Sequence, residues 1–135
     1  KVCFDSKNFY FYVKCSKNIA TEDVGTNLNL YLNTDMNTSS GWYGYDYIID
    51  RSSVNKYSGN GTSYSYTKSA TVDYKLEGNE LMITVPRSAI GLTSDKIKFC
   101  FKWADGTQKI TTMEQMYTDG DTAPHGRLNY LFQNY

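Results

Sequence analysis

The chain has 135 residues, 40% of them hydrophobic, and its 14 Lys and Arg balance its 14 Asp and Glu. This length predicts one domain, residues 1–135, with one core. The zero net charge gives no electrostatic reason to expect nucleic acid or an anionic membrane as a partner. The apolar runs are too short to span a membrane and no signal segment opens the chain. A start at Lys1 is expected of a processed protein or an excised module.

The three cysteines, Cys3, Cys15 and Cys100, lie in strand-like runs and form no C-x-x-C pair. We expect three half-buried thiols that pack as small hydrophobic groups, the alternative being one disulfide and one free thiol. The 13 Tyr, the many Asn, Ser and Thr and the 2 Pro are typical of a hydrogen-bonding, β-rich surface. Extracellular sugar-handling modules often have this composition.

Alternating apolar and polar residues predict strands along the whole chain. The first has Phe9, Phe11 and Val13 on one face, and the last has Phe99, Phe101 and Trp103 on one face. The strand-like runs are residues 9–15, 28–32, 43–49, 72–76, 81–85 and 97–103.

Turn residues separate these runs. Asn60-Gly61 and Glu77-Gly78-Asn79 predict hairpins that join antiparallel neighbours. Pro86 stops a strand and begins a helical turn that reaches Gly91, and residues 112–117 predict the other short helix. The fold class that follows is all-β, an antiparallel β-sandwich.

Several motifs occur in an order that resembles a known family. They are Phe4-Asp5 before the strand Phe9 to Val13, then LNLYLNTD, GWYGYDYIIDR, LMITVPRSAIG, IKFCFKWADG and DGDTAPHGRLNY. Together they resemble the DOMON-like sandwich superfamily, and within it the family 9 carbohydrate-binding modules of secreted bacterial proteins that degrade polysaccharides.

The resemblance implies a jelly-roll-like sandwich that serves as a non-catalytic module of a larger extracellular or cell-surface bacterial protein. It also implies bound calcium and a sugar held between aromatic side chains. The N-terminus departs from the family pattern, since Lys1 lies after the position of the family's first strand. We therefore expect that strand to be missing or replaced by another segment.

Sugar binding needs flat apolar rings for the sugar's C–H faces and planar polar groups for its hydroxyls. Trp42 follows Gly41 in a loop, so it is either a stacking platform or a loop anchor. Trp103 alternates in step with the apolar residues of its strand, which favours a place in the core. Because it lies at the end of that strand, it is also a candidate for the second ring of the two-tryptophan site that the family implies.

Four further residues complete the predicted carbohydrate site. Tyr43 and Tyr45 share a strand face that is either a binding surface or ordinary sheet packing. Asp105 and Arg127 are predicted to contact sugar hydroxyls, and a structural ion pair from Arg127 to Asp119 or Asp121 is the alternative.

Two polar surfaces are weaker candidates for the same role. The polar parity of two strands is expected to form an exposed tyrosine and asparagine face made of Tyr10, Tyr12, Asn29, Tyr31 and Asn33. Tyr64 and Tyr66, which follow the Asn60-Gly61 hairpin, are the second.

Asp35, Asn37 and Ser39 alternate like the first ligands of a calcium loop, and Asp46 stands at the twelfth position. Calcium here would be structural. The alternative is that Asp35 and Asn37 make Asx turns.

No catalytic motif points to an enzyme, and a single histidine, His125, argues against a haem site. The predicted function is therefore a monomeric, non-catalytic module that binds a polysaccharide or oligosaccharide and no nucleic acid. The alternative is a structural or adhesion domain without a sugar site. An exposed tryptophan face would favour the first, and burial of both tryptophans the second.

Overall fold

A computed structural model describes residues 1–20, 28–106 and 109–135. In these ranges the strands are β1 Val2–Phe4, β2 Asn8–Lys14, β3 Asn29–Asn33, β4 Tyr47–Asp50, β5 Ser53–Tyr57, β6 Tyr66–Thr71, β7 Asp73–Glu77, β8 Glu80–Pro86, β9 Lys98–Gly106, β10 Gly120–Ala123 and β11 Tyr130–Gln133. A 3₁₀ helix, Arg87–Ile90, and one α-helix, α1 Met113–Thr118, complete the described elements.

The strands form two antiparallel sheets, which confirms the predicted all-β sandwich. The four-stranded sheet has the order β1-β2-β8-β7, and the seven-stranded sheet has the order β10-β9-β3-β4-β5-β6, with β11 also paired to β9. The edge of β9 is shared, since β11 pairs with its first half and β10 with its second half.

The inner core lies between the two sheets, where the alternating apolar side chains meet. Phe9 and Phe11 of β2 pack edge to face against Phe99 of β9, with ring centroids 5.1 and 5.9 Å apart. Leu30 and Leu32 of β3 are also fully buried there. The parity of the sequence therefore predicted this core correctly.

A second hydrophobic cluster covers the other face of the seven-stranded sheet. We call it the outer cluster; its buried members are Tyr31, Trp42, Tyr45, Ile48, Ala104, Ile110 and Met116. It buries the face of β3 that was predicted to be polar and exposed: Tyr31 is 0%, Asn33 5% and Asn29 9% exposed. The predicted tyrosine and asparagine face is wrong, because the loop before β4 and α1 pack on top of it. Tyr10 and Tyr12 belong to the other sheet.

The predicted strand 43–49 is divided by a tight turn. The amides of Trp42 and Tyr45 each donate to the other's carbonyl oxygen, at 3.0 Å in both cases. Tyr43 and Gly44 between them have φ of 52° and 96°, the positive values of a type I′ turn. Tyr43, Tyr45 and Tyr47 consequently do not share a face: the first is exposed, the second lies in the outer cluster and the third in the inner core.

The remaining turns and helices follow the predictions. β5 with β6 and β7 with β8 are antiparallel pairs, with Gly61 and Gly78 at positive φ in their connections. Thr112 caps α1 in a capping box with Gln115, and Gly91 ends the 3₁₀ helix in the left-handed region. Residues 73–76 lie in β7, as predicted, whereas Val72 lies between β6 and β7, where the chain crosses from one sheet to the other.

All three cysteines are free thiols. Cys15 and Cys100 are half-buried, as expected, whereas Cys3 is exposed. The alternative of one disulfide is therefore wrong.

Candidate functional site

A polar cleft of about 640 Å³ opens on the outer face of the seven-stranded sheet. Its floor comes from three neighbouring strands, β3, β4 and β5, because residues of the same parity on adjacent strands lie side by side. One wall comes from the connection between β5 and β6. The lining residues are Asn29, Ile48, Asp50, Ser53, Asn55, Tyr64, Ser65, Tyr66 and Lys109.

The floor is held by its own hydrogen bonds. Asn55 Nδ2 donates to the carbonyl oxygens of Ile48 and Ser53 at 3.3 and 3.2 Å, and Ser53 Oγ lies 3.3 Å from Asn55 Oδ1. The carboxylate of Asp50 is 3.4 Å from the guanidinium of Arg51. These groups are therefore fixed before any ligand arrives.

Asn29 brings an unsatisfied acceptor to this floor. The residue is 9% exposed, and its Oδ1 has no hydrogen-bond partner among the described residues. A buried polar atom without a partner carries a desolvation cost, so such atoms are uncommon in folded proteins.

The aromatic wall of the cleft rests on Trp42. Tyr64 packs edge to face on Trp42, with ring centroids 5.1 Å apart, and Tyr66 lies 5.3 Å from Tyr64. The Tyr66 hydroxyl donates to the carbonyl oxygen of Tyr45 at 2.8 Å. The ammonium of Lys109 stands 5.8 Å from the centre of the Tyr64 ring. Both tyrosines are half-buried, so each retains an accessible part.

The two tryptophans do not form the predicted sugar clamp. Trp42 is 1% exposed and belongs to the outer cluster, while Trp103 is 4% exposed and belongs to the inner core. They lie on opposite faces of one sheet. The loop-anchor alternative for Trp42 and the core alternative for Trp103 are thus confirmed, and neither ring offers a face on which a sugar can stack in this conformation.

Tyr43 and Arg127 do come together. They line a groove of about 550 Å³ beside α1, with Met113, Glu114, Tyr117 and Thr118. Tyr43 is 49% exposed and its ring centroid is 5.7 Å from that of Trp42. Tyr45 is buried, and its hydroxyl donates to Asn129 Oδ1 at 2.8 Å, so it does not reach the groove. We call this space the Tyr43–Arg127 groove.

Arg127 does not form the ion pair that was the alternative role for it. Within the described part of the chain its side chain has no hydrogen bond and no carboxylate within 4.0 Å. Burial raises the pKa of the neighbouring Tyr117, and the charge of Arg127 opposes that rise. Arg127 and Tyr117 line the same groove, and the guanidinium has no ion-pair partner among the described residues, so it is available to a ligand.

Asp105 lies elsewhere, in a cleft of about 440 Å³ at one end of the sandwich. Trp103 also lines that cleft, and its Nε1 has no hydrogen-bond partner among the described residues. Burial, and then the charge of Asp121, raise the pKa of Asp105. The six predicted sugar contacts are thus distributed over three separate regions.

The predicted calcium loop makes the Asx turns that were its alternative. Asp35 Oδ1 accepts the Asn37 amide at 2.8 Å, and Asn37 Oδ1 accepts the Ser39 amide at 2.9 Å. Asp35 and Asp46 nevertheless converge, because the Ser40 hydroxyl lies 2.7 Å from Asp35 Oδ2 and 3.4 Å from Asp46 Oδ1. These two predicted ligands therefore lie on either side of one hydroxyl, whereas the Asn37 side chain accepts a hydrogen bond from its own loop.

Asp46 is the more deeply placed carboxylate of the two. Burial, and to a smaller extent the charge of Asp35, raise its pKa, while hydrogen bonds from Thr34 act against this. The Thr34 amide donates to Asp46 Oδ2 at 2.7 Å.

In the ranges the structure describes, no three His, Cys, Asp or Glu side chains are grouped as a metal site. No helix in those ranges has the length and apolarity to cross a membrane.

No protein-family model, curated protein or solved structure matches the chain. Sequence reasoning named Asn29, Tyr64 and Tyr66 but missed the cleft they share, together with Asp50, Asn55 and Lys109. The alternating residues of β4 and β5 that face outward were the available signal. They indicate a shared cleft only once it is known that β3, β4 and β5 are neighbours in the sheet.

Proposed function

We propose that the protein is a non-catalytic carbohydrate-binding module whose primary site is the polar cleft. The observation that carries the proposal is the pre-organised combination of amide, carboxylate and hydroxyl groups on the floor with tyrosine rings on the wall. Sugars are recognised by this combination, since their hydroxyls need planar polar partners and their C–H faces need flat apolar ones.

The rigidity of the cleft supports this assignment. Asn55 is fixed by three contacts to its neighbours and Tyr64 by its packing on Trp42. A binding site that is ordered before the ligand arrives loses less conformational entropy on binding.

The wider setting of the module belongs to the same proposal. The family resemblance supports an extracellular location as part of a larger bacterial protein. It also supports a structural Ca²⁺. We place this ion between Asp35 and Asp46, whose carboxylates both lie near the Ser40 hydroxyl, where it would neutralise two neighbouring carboxylates and stiffen the loop that carries Trp42 and Tyr43.

Affinity electrophoresis against neutral soluble polysaccharides tests the assignment. We expect one or more polymers to retard the wild type, and Tyr64→Ala and Asn55→Ala to lose that retardation while keeping the melting temperature within a few degrees. Tyr74→Ala is the matched control, because Tyr74 is 41% exposed on the opposite sheet. Retardation that survives in both cleft variants would place the site elsewhere.

A structural or adhesion domain is the second candidate. The burial of both Trp42 and Trp103 favours it, because carbohydrate modules usually expose at least one large ring. If no neutral or charged polysaccharide retards the wild type, and titration with mono- and disaccharides gives no heat, this second candidate replaces the first.

A further inference from the structure

We infer that the Tyr43–Arg127 groove is a separate subsite for a carboxylated sugar, a uronic acid unit of an acidic polysaccharide. The inference rests on the proposed function for the class of ligand, a saccharide. The groove shares no lining residue with the polar cleft.

The first observation is the unpaired guanidinium. Arg127 has no side-chain hydrogen bond or ion pair among the described residues, although Asp119 and Asp121 are near it in sequence. A guanidinium presents a planar fork of donors that matches the two oxygens of a carboxylate. An available Arg in a concave site therefore favours a planar anion over a neutral hydroxyl.

The second observation is the charge beneath the groove. Lys102 is fully buried, and its ammonium donates to the carbonyl oxygens of Pro124, at 3.2 Å, and Gly126. It lies 5.7 Å from the centre of the Tyr117 ring and has no carboxylate partner within the described residues. A cation in a region of low dielectric constant attracts an anion more strongly than one in water.

The third observation is the exposure of Tyr43. The type I′ turn fixes this residue at a positive φ, which is unusual for a bulky side chain, and leaves 49% of it in solvent. Packing against Trp42 supports its ring from one side. Tyr43 and Tyr117 thus supply two aromatic surfaces in one groove, which suits the faces of a pyranose ring.

The balance of charge selects the acidic sugar. Glu114 is the carboxylate that lines the groove, against the Arg127 guanidinium and the buried Lys102 ammonium. The local sum is one positive charge. A uronate carboxylate would pair with Arg127, and Glu114 would accept hydrogen bonds from the hydroxyls of the same sugar.

Isothermal titration with an oligogalacturonate, its methyl ester and a neutral gluco-oligosaccharide of the same length tests the subsite. We expect the wild type to bind the oligogalacturonate more tightly than its methyl ester, with added salt weakening only the former. Arg127→Ala should raise the Kd for the oligogalacturonate about tenfold or more, the value of a charged hydrogen bond. Arg127→Lys should recover only part of this loss.

Lys75→Ala is the matched charge control, because it removes one positive charge from the opposite sheet. An equal loss in Arg127→Ala and Lys75→Ala would mean attraction to overall charge and would overturn the subsite. If dextran sulfate binds as tightly as the oligogalacturonate, and its binding also depends on Arg127, the proposed selectivity of the subsite for carboxylate would be overturned. Binding of the neutral oligosaccharide alone would overturn the inference and leave the proposed function intact. Binding of none of the three ligands would overturn the subsite, and the proposed function would then depend on the polysaccharide panel.

Discussion

Trp42 and Tyr64 pack edge to face, with ring centroids 5.1 Å apart and ring planes at 87°. On its other side Trp42 contacts Tyr43, at 5.7 Å. One buried indole therefore supports a tyrosine of the polar cleft and a tyrosine of the Tyr43–Arg127 groove. Its role is to position both aromatic surfaces, which explains why a large apolar ring follows Gly41 in a loop.

Replacement of Trp42 should reduce stability as well as binding. Trp42→Ala removes a side chain that is 1% exposed, and we expect a loss of about 3–5 kcal/mol in the free energy of unfolding. Urea denaturation followed by circular dichroism measures this. Tyr43→Ala is the control, with an expected loss of about 1 kcal/mol or less because about half of the residue is already exposed to solvent. Equal losses would show that Trp42 is not the anchor.

The sequence predicted the inner core and not the outer cluster, for a physical reason. Alternation along β2, β3 and β9 identifies the face that is buried between the sheets. It says nothing about a second layer, because the residues that cover Tyr31 come from distant loops and α1. Asn29, Tyr31 and Asn33 alternate like solvent-facing residues, and only the packing of the chain shows that they are buried.

The candidate site was predictable to the same limited extent. Local sequence patterns predicted Tyr43 and Arg127 as site residues. Their proximity in one groove depends on the positions of α1 and of the connection between β10 and β11. The polar cleft depends on the adjacency of β3, β4 and β5. Pairing between strands far apart in sequence is decided by the whole fold, so composition and parity alone do not give it.

Calcium should stabilise the protein through Asp35 and Asp46. We expect a higher melting temperature in millimolar Ca²⁺ than in chelator, because the ion would neutralise two carboxylates that both lie near the Ser40 hydroxyl and would bind the native state alone. Asp35→Asn should remove the difference, and Mg²⁺ should not reproduce it. A melting temperature that is the same with calcium and with chelator would contradict the calcium loop.

Lowering the pH should raise the folding stability of the wild type relative to that of Asp46→Asn when both proteins are measured in chelator. The native pKa of Asp46 is raised above the ordinary 3.8, so the native state binds the proton more tightly than the unfolded state does. The wild type therefore gains stability relative to the variant as the pH falls from above the native pKa towards 3.8. Asp5 and Glu80, whose pKa values are lowered, act in the opposite direction but cancel in the comparison. If the difference in unfolding free energy between the two proteins does not change with pH, the burial of this carboxyl would be contradicted.

The cysteines should react with a thiol reagent at two distinct rates. Cys3 is exposed and should react first, whereas burial raises the thiol pKa of Cys15 and of Cys100 and lowers the fraction of reactive thiolate. Cys3→Ser should abolish the fast phase. In denaturant without reductant all three thiols should titrate; detection of a single one would indicate a disulfide.

Lys102 should hold the connection between β10 and β11 in the position that Arg127 requires. Lys102→Met keeps the buried stem and removes the ammonium that binds the carbonyls of Pro124 and Gly126. We expect weaker binding of the oligogalacturonate with little change in stability at neutral pH, since the lost hydrogen bonds are offset by the removal of a buried charge. Unchanged affinity would show that this anchor is unnecessary.

The pH dependence of the same pair of proteins identifies the charge itself. Burial lowers the native pKa of Lys102 below the ordinary 10.5, so the native state releases its proton before the unfolded state does. The wild type should therefore gain stability relative to Lys102→Met as the pH rises from the native pKa towards 10.5. Buried Tyr31, Tyr45 and Tyr66, whose pKa values are raised, destabilise both proteins over the upper part of this range and cancel in the difference. A constant difference in unfolding free energy across the range would mean that Lys102 titrates alike in the folded and unfolded chains, and that its ammonium contributes no buried charge to the groove.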